Sequence, residues 1–346
     1  MLMVMIKKIG HILIACFFCM GTAASQDIHF SQIFETPLLR NPAFAGLFSG
    51  DVRAQTVIRS QWNSVTDAYQ TGSANLEFKM PIGYSDDYIT LGGQLLYDKA
   101  GTTALSATHI LPVINYHKSL GGNKSSYLSL AFMGGYVQRS IDRNKITTNS
   151  QYSGGGFNAG AGTGETFAKA GYGYFDGTAG LSFNAQIGNN PDNNFFIGAA
   201  YHHFNKAKQI SFYSDPTVEM SPKIVTSFGV RTNVSDYSYI TLEGDYSKQN
   251  SYKSIVGGVL YSYRLDEMED PNYLIHAGVY MRMNDAIIPV IKIEPRPLAI
   301  ALSYDVNISS LKQVSRGRGG FEISLTYQQY NQRSNSSSEA TRCPKF

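Results

Sequence analysis

Apolar and polar residues alternate through most of this chain. From 179 to 187, Ala179, Leu181, Phe183, Ala185 and Ile187 share one parity, against Gly180, Ser182, Asn184 and Gln186. Leu298, Ile300, Leu302, Tyr304 and Val306 oppose Ala299, Ala301, Ser303, Asp305 and Asn307. Phe321, Ile323, Leu325 and Tyr327 oppose Glu322, Ser324, Thr326 and Gln328. A period of two over such lengths is a strand signal. Reading it along the chain predicts about fourteen strands. They run over 51–63, 68–80, 87–99, 104–117, 125–139, 177–188, 194–205, 222–234, 237–249, 252–264, 272–283, 286–294, 297–307 and 319–329. Strands in soluble proteins have about 5–6 residues, whereas a tilted strand crossing a bilayer needs about 9–11. The predicted strands match the second class, and their even number fits a single-chain barrel.

The connections sort in a second way. If the chain enters strand 1 from the periplasm, the three longest connections (140–176, 206–221 and 308–318) all face outside. The connections on the other side, such as Ser235-Asp236 and Pro295-Arg296-Pro297, are short and built of strand breakers. Short periplasmic turns with long external loops are the outer-membrane pattern. Tyr97, Tyr136, Tyr201, Tyr246, Tyr261, Tyr263, Tyr304 and Tyr327 lie on the apolar parity near strand ends, where an interfacial aromatic girdle belongs. Pro112 and Pro289 fall inside predicted strands and remove a ladder donor each; bulges there would accommodate them. A soluble β-sandwich, array or propeller also explains the alternation and a signal peptide, but explains the strand length and the tyrosines less well. The prediction is therefore an all-β transmembrane barrel over 51–330.

The ends differ from the barrel. Lys7 and Lys8 precede an apolar stretch, Ile9 to Met20, and Ala23-Ala24-Ser25 supplies small residues for cleavage before Gln26, so 1–25 reads as a signal peptide. Leu13-Ile14-Ala15-Cys16 offers a lipobox-like alternative. Residues 26–50 are too irregular for a strand. They read as a plug inside the barrel, a segment along the periplasmic rim, or a leader to strand 1. Residues 331–346, with Ser334-Asn335-Ser336-Ser337-Ser338, read as a disordered polar tail.

Composition narrows the chemistry. Tyr (23), Phe (19) and Gly (33) are abundant and only 16% of residues are charged. Lys7 and Lys8 supply most of the formal net charge of +3, so the remainder is nearly neutral and carries no nucleic-acid footprint. Cys16 and Cys19 fall in the leader, leaving Cys343 alone and no internal disulfide. The inward parity collects Arg53, Arg59, Glu77, Lys79, Asp98, Arg231, Glu243, Asp245, Arg264, His276, Arg282, Lys292, Asp305 and Glu322. Mixed signs predict interior charge pairs rather than an ion-selective ring.

His109, His117, His202, His203 and His276 are the candidates for a hydrolase or a metal. None lies in a Gly-x-Ser-x-Gly motif, and His202-His203, adjacent on a strand, should face opposite ways. No phosphate-binding, zinc or dinucleotide pattern occurs. Neither a cofactor nor catalysis is expected. Gly154-Gly155-Gly156-Phe157 and Gly160-x-Gly162-x-Gly164 lie in the longest loop, which reads as a flexible external segment suited to partner contacts.

The stretch Gln26-Asp27-Ile28-His29-Phe30-Ser31-Gln32, followed by Asn41-Pro42-Ala43-Phe44-Ala45-Gly46 and Arg59-Ser60-Gln61-Trp62, resembles the opening of the PorP/SprF family of type IX secretion system membrane proteins of Bacteroidota. Ile28 stands where that family commonly has proline. The motif residues are thus Gln26, Asp27, Phe30, Ser31, Gln32, Asn41, Pro42, Ala43, Gly46, Arg59, Gln61 and Trp62. The resemblance implies an outer-membrane barrel that supports export or surface attachment of particular cargo. Its implied partners are periplasmic ring or motor components of the system and secreted cargo with a C-terminal sorting domain, such as a gliding-motility adhesin. The Asn-Pro-Ala element also resembles the start of long-chain fatty-acid transporter barrels. That leaves a transporter of small hydrophobic molecules as the alternative.

Overall fold

The computed structural model describes residues 27–61, 68–83, 86–101, 103–121, 126–153, 155–190, 192–265, 272–310, 312–315 and 317–329. The expected signal peptide, Gln26, Trp62, Gly154, and the polar tail with Cys343 lie outside the described residues.

Fourteen antiparallel strands form a closed barrel in chain order, with the last pairing to the first. They are β1 (Val52–Gln61), β2 (Tyr69–Pro81), β3 (Tyr88–Ala100), β4 (Leu105–Ser119), β5 (Ser126–Ser140), β6 (Gly171–Gln186), β7 (Asn194–His202), β8 (Lys223–Ser235), β9 (Ser238–Gln249), β10 (Tyr252–Arg264), β11 (Tyr273–Arg282), β12 (Ala286–Pro295), β13 (Leu298–Asn307) and β14 (Arg318–Gln329). Closure is in register along the whole of β1, from Val52↔Gln329 to Gln61↔Gly320. The three longest connections, 141–170, 203–222 and 308–317, share one rim, as the parity of the strands requires.

Side chains alternate as the pattern demands. Ile58, Leu95, Ile110, Phe132, Ile197, Ile255, Ile291 and Ile293 point outward and are about half exposed, and all eight tyrosines of the expected girdle are exposed on the same face. Soluble proteins rarely expose contiguous apolar patches beyond a few hundred Å². An entire apolar wall is instead what a bilayer requires of a closed barrel, whose backbone groups are all paired internally. Among the described residues no helix is long and apolar enough to cross a membrane; the strands do so.

Two strand limits differ from expectation. β6 starts at Gly171 rather than 177, and pairs with β5 up to Ser140↔Gly171. Gly171, Gly173 and Gly177 dilute the alternation there, and the inward positions carry Tyr174 and Asp176, so the apolar parity vanishes from the sequence while the ladder continues. β7 stops at His202 rather than 205. The loop 141–170 is also not plain coil: Tyr152–Ser153 pairs with Gly156–Phe157 in a small hairpin. The prolines need no bulge. The β4–β5 register passes from Ile110↔Tyr136 to Val113↔Met133 with equal steps on both strands, so the ladder skips Pro112 without an extra residue. The β12–β13 pairing does the same around Pro289.

Residues 27–51 occupy the lumen. A 3-10 turn (Ile33–Glu35), a single helical turn α1 (Pro37–Arg40) and a second 3-10 turn (Pro42–Phe44) follow one another. Pro37 and Pro42 stand at the first helical position of their turns, where a missing N–H costs nothing. Of the three sequence readings of this segment, the plug is the one found. Its described N-terminal end, Asp27, meets Lys223 at the long-loop end of β8. At its other end Asp51 N–H donates to Gln329 O and Asp51 O accepts from Lys79 N–H, at the short-turn rim. The segment therefore spans the barrel from one end to the other.

Candidate functional site

Among the described residues, the plug and the wall it touches form a dense polar site. Four stations hold it, and residues of the Gln-Asp and Asn-Pro-Ala motifs supply most of the plug's side.

The first station is Asp27, which accepts from Lys223 Nζ at 2.8 Å. The second is a carboxylate knot. Glu322 on β14 is fully buried and accepts from Ser31 N–H (2.6 Å), Gln32 N–H (2.8 Å) and the Arg59 guanidinium. Arg59 reaches on to Asp305 (2.9 Å), which Arg282 also contacts at 2.9 Å. Gln32 adds a bond to Ser303 Oγ at 3.0 Å. A bend at Ser31-Gln32, with Gln32 at φ −79° and ψ 71°, aims two successive N–H groups at one carboxylate, a charge-assisted arrangement stronger than neutral pairing.

The third station is Arg40, at the end of α1, bridging Glu243 and Asp245 at 2.8 Å each. Close by, Glu35 takes Lys292 at 2.7 Å and Gln55 at 2.6 Å. The fourth is the Asn-Pro-Ala turn. Asn41 Oδ1 accepts from Ala43 N–H at 2.8 Å, capping the turn, and Asn41 Nδ2 donates to Leu181 O at 3.0 Å. Asn115 on β4 donates to both Ala43 O and Ala45 O, and Ser182 on β6 also donates to Ala43 O. Gly46, at φ +82°, donates to Glu77 at 2.8 Å. A Cβ there would lie 2.1 Å from Thr90 Oγ1, so glycine is required both by conformation and by space. Gly180 on the wall has the reciprocal role, since a Cβ at that position would strike Asn41 Oδ1.

Between the stations the plug buries apolar side chains. Phe30, Leu38 and Ala45 pack on Val57, Leu96, Leu111, Val113 and Met133. Ile33 and Phe34 pack on Leu260, Tyr280 and Ile288, and Phe44 meets Phe196 edge-on with ring centroids 5.0 Å apart. Each such large side chain contributes roughly 1.5–3 kcal/mol. The predicted inward charges are thus partnered, but to a large extent by the plug rather than across open lumen.

The expected candidates fall out as follows. Asp27, Phe30, Ser31, Gln32, Asn41, Pro42, Ala43, Gly46 and Arg59 converge on the plug–wall contact. Gln61 lies apart at the long-loop end of β1. Gly155, Gly156 and Phe157 sit on the external hairpin, well exposed. Sequence reading missed Glu35, Leu38, Arg40 and Phe44 in the plug and Asn115, Ser182 and Gly180 on the wall. The only signal for the wall residues was polar or small character at inward positions.

The histidines do not gather. His117 stacks on Tyr88 and contacts Ser129 Oγ at 2.7 Å. His202 and His203 both reach the lumen side, contrary to the strand expectation, because His203 lies just past the end of β7 at φ +58°. Ser262 Oγ lies 2.7 Å from His276 Nδ1, with Glu294 3.5 Å from Nε2. This Ser–His–carboxylate grouping is on the lumen wall rather than on the lipid-facing surface, and Ser262 is fully buried. Among the described residues no group of three or more His, Cys, Asp or Glu is placed to hold a metal ion.

His203 has a measurable consequence. Burial opposes its charge, but the Asp176 and Asp27 carboxylates outweigh this and hold its pKa up to about 9. Lys223, His202, His109, Arg139, Asp98 and Tyr174 are other charged or titratable groups acting on this cluster. A pKa raised above its unfolded value of about 6.5 stabilises the fold fully below that pH and progressively less as pH rises through about 9. The stability difference between wild type and His203→Gln should therefore be constant below about pH 6.5 and shrink by about 3 kcal/mol by pH 10. Urea unfolding in lipid vesicles across that range reads it; a difference independent of pH would refute the charge assignment.

Among the described residues the lumen retains recesses beside the plug. One, of about 130 Å³, lies toward the short-turn end and is lined by Phe34, Phe44, Arg53, Arg231, Tyr239 and Lys292 among others. Another, of about 80 Å³, opens toward the long-loop end beside Ile28, Phe30, Leu39, Tyr252 and Val256.

Comparison with known proteins gives the following. The family described as type IX secretion system membrane protein PorP/SprF matches residues 22–327. No curated protein matches the chain. Among solved structures, the Ralstonia pickettii toluene transporter TbuX is 10% identical, with a TM-score of 0.47 over 90% of this chain and 96% of its own. The CymD monoaromatic hydrocarbon channel is 12% identical, with a TM-score of 0.46 over 88% and 95%. A Pseudomonas aeruginosa FadL homologue is 10% identical, with a TM-score of 0.44 over 85% and 94%.

Proposed function

The chain belongs to the PorP/SprF family of type IX secretion system membrane proteins, an outer-membrane β-barrel, and from that premise we propose that it works by contact rather than by conduction or catalysis. In this reading it supports export or surface attachment of specific cargo, such as a gliding-motility adhesin carrying a C-terminal sorting domain. It holds that cargo and the periplasmic ring or motor components of the system at its two rims. The external hairpin with Gly155, Gly156 and Phe157 is the preferred cargo-facing element.

The observation that supports this is the filled lumen. A plug fixed at four stations leaves recesses of about 130 and 80 Å³, far too small for a polypeptide to pass. What remains for function is the rims and the loops. Ser262, His276 and Glu294 line the larger recess, yet Ser262 itself is 0% exposed, which argues against catalysis there. Transport of small hydrophobic molecules would need a continuous apolar path; Arg53, Arg231, Glu243 and Lys292 line the larger recess instead.

Affinity capture with a tagged, full-length barrel from detergent extracts should recover type IX components or a secreted adhesin. A deletion strain that still secretes and displays every such cargo normally would overturn the proposal.

A further inference from the structure

The loop 203–222 begins and ends on the plug. His203, its first residue, donates from Nδ1 to Asp176 of β6 at 2.8 Å and places Nε2 3.5 Å from Asp27. Lys223, the first residue after the loop, holds the same Asp27 carboxylate at 2.8 Å. Both hinges of one loop therefore grip the N-terminal end of the plug.

The body of the loop lies over the mouth of the barrel. Ala207, Ile210 and Met220 pack on Val137, Tyr172 and Tyr174, which face inward from the tall part of β5 and β6. Phe204 crosses to the outer surface and covers Gly177, where a Cβ would come within 2.6 Å of its ring. Phe212 O accepts from Lys169 N–H, and Tyr213 O–H donates to Glu165, joining this loop to 141–170.

The backbone of the loop is strained. Among the described residues seven non-glycine positions have positive φ. Four of them, His203 (58°), Lys206 (45°), Gln209 (58°) and Ser214 (58°), fall within twelve residues of this loop. Side chains with a Cβ adopt that region at a cost, and such strain persists only where surrounding contacts enforce it. Here the enforcing contacts are the packing on Tyr172 and Tyr174 and the two hinges.

We propose that loop 203–222 is a strained lid that latches the plug. While the lid lies on the mouth, its hinges hold Asp27; drawing the lid away relaxes its backbone and releases the plug's N-terminal end. The released end includes the Ser31 and Gln32 N–H groups of the second station; the Arg40 and Asn-Pro-Ala stations lie deeper and stay in place, so the latch frees an end and does not empty the barrel. This goes beyond the contact role proposed above. It supplies a route by which an event at the outer loops reaches the interior.

Hydrogen–deuterium exchange on the full-length protein in lipid vesicles tests it. The double variant His203→Ala/Lys223→Ala should speed exchange at least roughly tenfold in residues 28–33 and leave 41–48 unchanged. Gln209→Gly/Ser214→Gly, which relieves strain without touching the hinges, should slow exchange in the lid. Unchanged exchange at 28–33 in the hinge variant would overturn the proposal. So would an equal rise through 41–48, because the hinges would then be general stability contacts. Faster lid exchange in the glycine variant would remove the role assigned to strain.

Discussion

Deleting residues 27–48 is expected to convert a closed barrel into an open pore. Eight-stranded barrels are filled by their own side chains, whereas sixteen or more strands enclose an aqueous channel. A fourteen-stranded ring lies near the second limit, and here the plug occupies its lumen. Planar-bilayer recordings should show current rising on the order of a hundredfold or more over the full-length chain. Deletion also strips partners from Glu322, Glu243, Asp245 and Lys223, so the truncated chain must first be shown to fold. If it does not, a protease site placed at Gly50 in the folded barrel provides a second route, with opening expected after cleavage and denaturant extraction of the plug. A truncated, folded barrel that stays electrically silent would show that the wall closes the lumen by itself.

Breaking the carboxylate knot has the second large effect. Glu322→Ala removes the acceptor for Ser31 N–H, Gln32 N–H and Arg59, and leaves the Arg59 guanidinium, 1% exposed, with Asp305 as its remaining carboxylate. Losing one partner of a buried pair costs about 3–5 kcal/mol, whereas replacing both partners by apolar groups costs far less. Urea unfolding should therefore show Glu322→Ala well below wild type, with Arg59→Leu/Glu322→Leu recovering part of the loss. The two backbone donors of the plug stay unsatisfied in the double variant, so recovery is incomplete. A single variant as mild as a surface substitution would mean that the knot holds little of the fold together. Additive single and double variants would mean that Arg59 and Glu322 act independently.

Much of the wall was legible because its period is local. Alternation at 321–328 identifies β14, its inward set and the outward Tyr327 together. Closure follows too: once fourteen antiparallel strands are counted, the first must pair with the last, and Arg59 and Glu322 stand at matching heights on the inward parity. β6 was misjudged where Gly171, Gly173 and Asp176 erase the contrast between faces. The plug's path was not legible at all. Its turns follow no period, and its contacts join residues such as Gln32 and Glu322 that are 290 positions apart. The motif stood out as a motif and a plug was one of three readings of its segment, but its residues gave no hint of which wall groups they would meet. Asn41 reads locally as a turn initiator, and only the wall reveals that it also binds Leu181 O.

The plug bears on how the protein is assembled. Its second station is built from β1, β13 and β14, the strands that flank the seam where the ring shuts. Ser31 and Gln32 cannot reach Glu322 after closure unless the chain already lies inside, and Asp27 ends at the far mouth. Threading 25 residues through a finished ring would drag the charges of Asp27 and Arg40 past the apolar patches of the inner wall, such as Leu111, Val113 and Ile288. The simpler course is that β14 zips onto β1 around a segment already in place. Ring closure and stoppering are then one event, and an empty barrel never exists as an intermediate that could leak.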